Sequence, residues 1–235
     1  MESQSHQFLS AFRIVCTAQN PKGVLIPAER RQTPGPRASR IRDYRNSQGR
    51  SYEENHLEEW VARRPDALFP GRRIHVLASQ NYAHLPEKID LLVVDGQHCF
   101  HVIEMKITSV AENAGLAPYQ IHEKQMKRYV RFLGWYLPPF PESLRPYYAK
   151  FSQRFYGSPR SLDEDLTAKF GDGYCRTAIS EPVIRQMYLA EGFDDYAVRY
   201  FQTQPEALDG GIRLAYYRFF PEDAYLEFWE IPLNG

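Results

Sequence analysis

The chain has 235 residues, 43% of them hydrophobic and 25% charged, the makeup of a folded protein with one sizeable core or a core plus an appendage. Its 29 Lys and Arg balance 29 Asp and Glu, which excludes a molecule that attracts nucleic acid as a whole. Any such surface must come from local segregation of charge. No apolar run approaches the roughly eighteen residues of a membrane span.

Phe12 to Cys16 and Val24 to Ile26, separated by Asn20-Pro21-Lys22-Gly23, predict a small hairpin. Phe8 to Val15 is interrupted by Arg13 and follows no basic stretch, so no secretory leader is expected. Residues 29–51 hold seven arginines among Pro, Gly and Ser, opposed only by Glu29 and Asp43. Such a composition cannot bury a core and predicts a loop or arm. It reads either as a solvated linker or as an arm that neutralises phosphates, with Arg37, Arg40, Arg42 and Arg45 as the candidate contacts.

Between Ser51 and Leu68, the apolar Leu57, Trp60, Val61 and Leu68 fall at helical spacing. Ser51 and Glu54 suit a capping box, and Pro65 kinks or ends the helix. Arg73 to Ala78 reads as a strand. Lys88 to Val94 and Phe100 to Ile107 are two more, turned by Asp95-Gly96-Gln97-His98. Ala117 to Tyr136 is a long helical pattern stopped by Pro138-Pro139.

Basic and aromatic residues then interleave from Arg145 to Arg160. They suit an amphipathic helix with its rings turned inward, or contacts to phosphates and unpaired bases. Glu181 to Phe201 is expected to be helical, with a weak point at Gly192. Ile212 to Phe220 and Ala224 to Ile231 close the chain as a hairpin around Pro221-Glu222-Asp223. Cys16, Cys99 and Cys175 are too few and too scattered for a disulfide framework or a Cys-x-x-Cys metal site, and a cytoplasmic location is expected.

The chemistry concentrates in Lys88 to Ile107. With the turn centred on Gln97, Val94 faces Phe100, Leu92 faces Val102, and Asp90 faces Glu104. Directly opposite residues share a face, with Cβ atoms about 5 Å apart. Lys106 shares that face by strand alternation. Both faces of the pair are largely apolar, as in a central strand pair covered on each side. Two carboxylates crowded there repel, and the crowding becomes tolerable when positive charge joins them. Lys106 supplies one charge, and a divalent ion that prefers oxygen, such as Mg²⁺, would supply two more. The competing reading is a purely structural ion cluster. Glu54 on the preceding helix, and Gln125 with Tyr129 one turn apart on the following helix, weigh against it.

Glu54, Asp90 and Glu104-Met105-Lys106, followed by Gln125-Met126-Lys127-Arg128-Tyr129, resemble the motif order of the PD-(D/E)XK nuclease superfamily. The Gln-x-x-x-Tyr resembles the RecB-like branch. Glu54-x-x-Leu57-Glu58-Glu59, Ile89-Asp90-Leu91-Leu92 and Val102-Ile103-Glu104 are closest to the NucS/EndoMS-like catalytic domain. Two departures stand out: Ile89 replaces the proline before the aspartate, and Thr108 to Pro118 lengthens the interval to Gln125.

The resemblance implies an α/β fold with a restriction-endonuclease-like core, a mixed central sheet flanked by helices. That core would span residues 51–136, with an N-terminal hairpin and arm over 1–50 and an α+β extension over 137–235. It also implies a Mg²⁺-dependent DNA nuclease, with an endonuclease favoured, in restriction, repair or phage defence. Asp90, Glu104 and the Met105 carbonyl would hold Mg²⁺, with Mn²⁺ as a substitute. Lys106 would orient the attacking water and stabilise charge on the phosphate. Glu54, or Glu58 one turn later, would touch the metal through water, and Gln125 and Tyr129 would position water, lysine or DNA. The partner expected is DNA, with a homodimer admitted and no membrane or nucleotide cofactor. The alternative is a non-catalytic nucleic-acid-binding or assembly module on the same fold.

Overall fold

Strands run over Gln7–Val15 (β1), Val24–Pro27 (β2), Ile74–Ser79 (β3), Leu91–Asp95 (β4), Cys99–Met105 (β5), Val183–Ala190 (β6), Ile212–Phe220 (β7) and Tyr225–Ile231 (β8). Helices cover Glu54–Arg63 (α1), Pro118–Tyr136 (α2), Arg145–Tyr156 (α3), Leu162–Phe170 (α4), Asp195–Gln202 (α5) and Pro205–Leu208 (α6). This computed structural model describes residues 6–17, 20, 22–31, 38, 41, 54–83, 85–107, 118–176 and 178–233, the side chains of 54 and 118–121 excepted. The protein is α/β, and its strands follow the hydrogen-bonded order β2-β1-β8-β7-β6-β5-β4-β3. Among the described residues, no helix is long and apolar enough to cross a membrane.

The chain divides into two units. The first comprises Met1–Pro70, Met105–Gln120 and Tyr188–Gly235. Here β1 and β2 form the expected hairpin, pairing Phe12 with Pro27 and Val15 with Val24. Strand β1 begins earlier than its apolar core suggested, because it also pairs with β8, with a bulge between Phe8 and Ser10. The closing hairpin pairs Phe220 with Tyr225. Its corner needs Ala224 in the left-handed region at φ 49°. Leu57, Trp60 and Val61 form the buried stripe of α1. Trp60 donates its indole N–H to the carbonyls of Lys22 and Gly23, which fastens the helix to the first hairpin's turn.

The second unit comprises Gly71–Glu104 and Ile121–Met187. Strands β3, β4 and β5 are successive antiparallel neighbours, and every one of their residues is buried. Such strands read as near-continuous apolar runs because both faces are covered. On α3, Tyr148, Phe151 and Phe155 are buried, so the rings of this basic-aromatic stretch do turn inward. Arg145 grips Asp163 with two hydrogen bonds of 2.7 Å, joining the starts of α3 and α4.

The helix expected over Glu181–Phe201 is corrected to strand β6 followed by helix α5. Val183 and Ile184 are β-branched, and Met187 to Ala190 is a continuous buried run of strand length. Past Gly192, Asp194 caps α5, its Oδ1 accepting from the Ala197 N–H at 2.7 Å.

Candidate active site

The β4–β5 register is the one anticipated: Leu92 pairs with Val102, Val94 with Phe100, and Leu91 with Ile103. Asp90 immediately precedes Leu91 and Glu104 immediately follows Ile103, so the two carboxylates occupy the next positions in register. Both are buried, at 3% and 1% exposure. The Gln80 amide donates to Asp90 Oδ1 at 2.8 Å, and His122 Nδ1 lies 3.8 Å from Glu104 Oε1. Such burial of two acids is costly without compensating charge and hydrogen bonds.

Helix α2 brings two expected residues to this end of the hairpin. Gln125 donates to the Tyr129 hydroxyl, which donates in turn to the Lys88 carbonyl at 2.6 Å. Burial pushes the Tyr129 phenol up to about 12, and the nearby charges of Glu104 and Asp90 push the same way while Gln125 opposes them. Tyr129 is therefore a neutral hydroxyl at ordinary pH. Asp90, Glu104, Gln125 and Tyr129 all belong to the second unit. Gln80 and His122 were missed from the sequence. His122 carried a signal, sitting on the helix one turn before Gln125, whereas Gln80 lies in a loop whose path is not written in a periodicity.

The other expected residues fall in the first unit. Met105 ends β5 with its side chain buried. Lys106 follows it, partly buried, its backbone N–H donating to the Leu189 carbonyl at 2.8 Å. Glu54 opens α1, but its side chain lies outside the described residues, as do Arg37, Arg40, Arg42, Arg45 and the Ser51 cap. Glu58, the alternative acid on α1, is buried.

A second polar cluster occupies the opposite end and opposite face of the same hairpin. Asp95, Cys99 and His101 are all buried, with carboxylate oxygen, sulfur and ring nitrogen within 4.8 Å of one another. Asp95 Oδ1 accepts from the backbone N–H groups of Gln97 and Cys99 at 2.9 and 3.0 Å, and Oδ2 lies 3.3 Å from His101 Nε2. Burial pushes the Asp95 carboxyl up, yet these amides and His101 outweigh it and hold the group below its ordinary value. The sequence signal for this trio is strand alternation rather than cysteine spacing. Asp95 faces Cys99 across the turn, and His101 is two residues on.

No protein-family model, curated protein or solved structure matches the chain.

Proposed function

We propose that the chain is a metal-dependent DNA nuclease with a restriction-endonuclease-like core, its reaction centred on Asp90 and Glu104. The observation that carries this reading is the burial of those two carboxylates at the facing positions just beyond the paired ends of β4 and β5, beside the Tyr129 hydroxyl. Two carboxylates suit a hard dication, and the resemblance would add the Met105 carbonyl as a third oxygen. When bound there, Mg²⁺ or Mn²⁺ lowers the pKa of a coordinated water and polarises the scissile phosphate.

The protein's own groups do the positioning. Gln80 donates to one oxygen of Asp90 and so orients the carboxylate. Tyr129 and Gln125, linked to each other and to the Lys88 carbonyl, hold the edge of the site in one hydrogen-bonded arrangement. Lys106 keeps the role that the resemblance implies, stabilising negative charge on the phosphate and orienting the nucleophile.

A second reading, a DNA-binding or assembly module without turnover, draws on one contact. His122 stands 3.8 Å from Glu104, so a protonated imidazole could supply the positive charge that a metal otherwise supplies. Incubation with linear, circular, single-stranded and flapped DNA in Mg²⁺ or EDTA, beside Glu104→Gln and Lys106→Ala, separates the two. Cleavage that needs Mg²⁺ and is lost in both variants supports the nuclease. DNA binding without cleavage by a folded parent protein supports the module. Equal, EDTA-insensitive cleavage by parent and variants contradicts the proposal.

A further inference from the structure

We infer that Asp95, Cys99 and His101 form a Zn²⁺ site at the turn of the β4–β5 hairpin, separate from the Asp90/Glu104 pair. Alternation puts the two groups on opposite faces of the hairpin, the odd-numbered trio on one side and the even-numbered acids on the other. Their chemistry differs accordingly. Two carboxylates suit Mg²⁺, whereas carboxylate, thiolate and imidazole together suit Zn²⁺.

Geometry favours a cation over a plain ion pair. The Asp95 Oδ2 to His101 Nε2 separation is 3.3 Å. A charge-assisted hydrogen bond of this kind is normally about 2.7–2.9 Å. Two ligand atoms each about 2.0 Å from a tetrahedral centre stand about 3.3 Å apart. Asp95 is already held by the Gln97 and Cys99 amides on its other oxygen, so Oδ2 is presented in a fixed direction. The turn itself is fastened from outside. Tyr174 donates its hydroxyl to the Asp95 carbonyl at 2.6 Å and stacks on His98, whose φ of 59° shapes the three-residue loop. A ligand set on so constrained a hairpin loses little freedom when it closes on an ion.

Charge balances as well. On binding, the Cys99 S–H bond breaks, a Zn–S bond forms, and the proton leaves to solvent. Neutral His101 would give its Nε2 lone pair to Zn²⁺ and carry its single ring proton on Nδ1, with any second ring proton leaving to solvent. Thiolate and carboxylate then cancel the dication. A neutral centre is compatible with Arg72, Arg73 and Arg185, which line a cleft of about 350 Å³ together with Asp95, Gly96 and Gln97. Through Asp95 the trio borders this cleft, the side from which a fourth ligand would complete a zinc site with three protein ligands.

Cobalt titration of the full chain, stripped of metal, tests the site. Expected are one thiolate-bound Co²⁺ per chain, seen as a thiolate-to-cobalt charge-transfer band in the near ultraviolet with tetrahedral d–d bands, and its displacement by Zn²⁺. Cys99→Ser loses the charge-transfer band. His101→Gln weakens binding beyond the about 10–100-fold that losing an outer-shell partner costs. Glu104→Gln changes nothing in these spectra, so the outcome is independent of nuclease activity. X-ray absorption of the Zn²⁺-loaded parent guards against a variant that fails to fold: one sulfur near about 2.3 Å and N/O ligands near about 2.0 Å are expected. Absence of cobalt bands, a band that survives Cys99→Ser, or a shell without sulfur overturns the site.

Discussion

Gln80 offers the sharpest single-residue test around the acidic pair, because its amide grips Asp90 without belonging to the proposed ligand set. Gln80→Ala is expected to raise the Mg²⁺ concentration for half-maximal cleavage by about 10–100-fold while the melting temperature stays near that of the parent. An unchanged Mg²⁺ dependence would mean that Asp90 is not oriented through Gln80. Tyr129→Phe acts differently. It removes a buried hydroxyl that donates to the Lys88 carbonyl, leaving that acceptor without its donor, and should cost about 1–3 kcal/mol in chemical denaturation. At this scale the sequence was informative where alternation and pairing operate. Asp90 and Glu104 could be placed opposite each other because the turn residues fix the register, and the β4–β5 pairing carries that register. Gln80 was not legible, since it approaches from a loop whose docking no local period encodes, whereas His122 was signalled only by its place one turn before Gln125.

Among the elements, β3, α3 and α4 share a polar relay. His75 Nε2 contacts the Tyr148 hydroxyl at 2.9 Å, and that hydroxyl donates to Asp165 at 2.7 Å. The single phenolic proton is thus committed to the carboxylate, so His75 Nε2–H is the donor. Burial pushes the His75 pKa from 6.5 down to about 4; Lys169 and Arg160 press the same way and Asp165 opposes them. Between those two values the unfolded chain holds a proton that the folded chain refuses. Stability is therefore full above about pH 6.5 and is lost as pH falls toward 4, by about 3 kcal/mol at most. His75→Gln should flatten this part of the stability–pH curve in denaturant melts, and an unaltered slope would contradict the assignment. Phe151→Ala, at a fully buried position of α3, should cost about 3–5 kcal/mol by the same measurement. The legibility of the elements followed their periods. Strands turned by Asp95-Gly96-Gln97-His98 and helices with a clear apolar stripe were readable. The segment Glu181–Phe201 was not, because a short apolar run reads equally as buried strand or helix until its neighbours are known.

For the whole molecule, a net charge of zero means that DNA affinity must come from segregated cations, and the arginines of residues 29–51 are the largest such group in the sequence. Replacing Arg37, Arg40, Arg42 and Arg45 together with alanine should weaken binding uniformly across DNA sequences. The slope of log affinity against log salt should fall by about 4, and an unchanged slope would assign the arm to a linker. The α/β class was implied by the resemblance and fitted by the strand and helix patterns, whereas the division into two units made of discontinuous segments was not legible, because it depends on contacts between residues far apart in sequence. Asp90 and Glu104 are proposed to hold a hard dication, and Mn²⁺ uptake followed by electron paramagnetic resonance reads that directly. In a Cys99→Ser background, so that the second cluster is disabled, the free Mn²⁺ signal should fall on adding protein and stay undiminished with Asp90→Asn or Glu104→Gln of unaltered melting temperature. Equal Mn²⁺ uptake by those folded variants, or none by the parent, would contradict it.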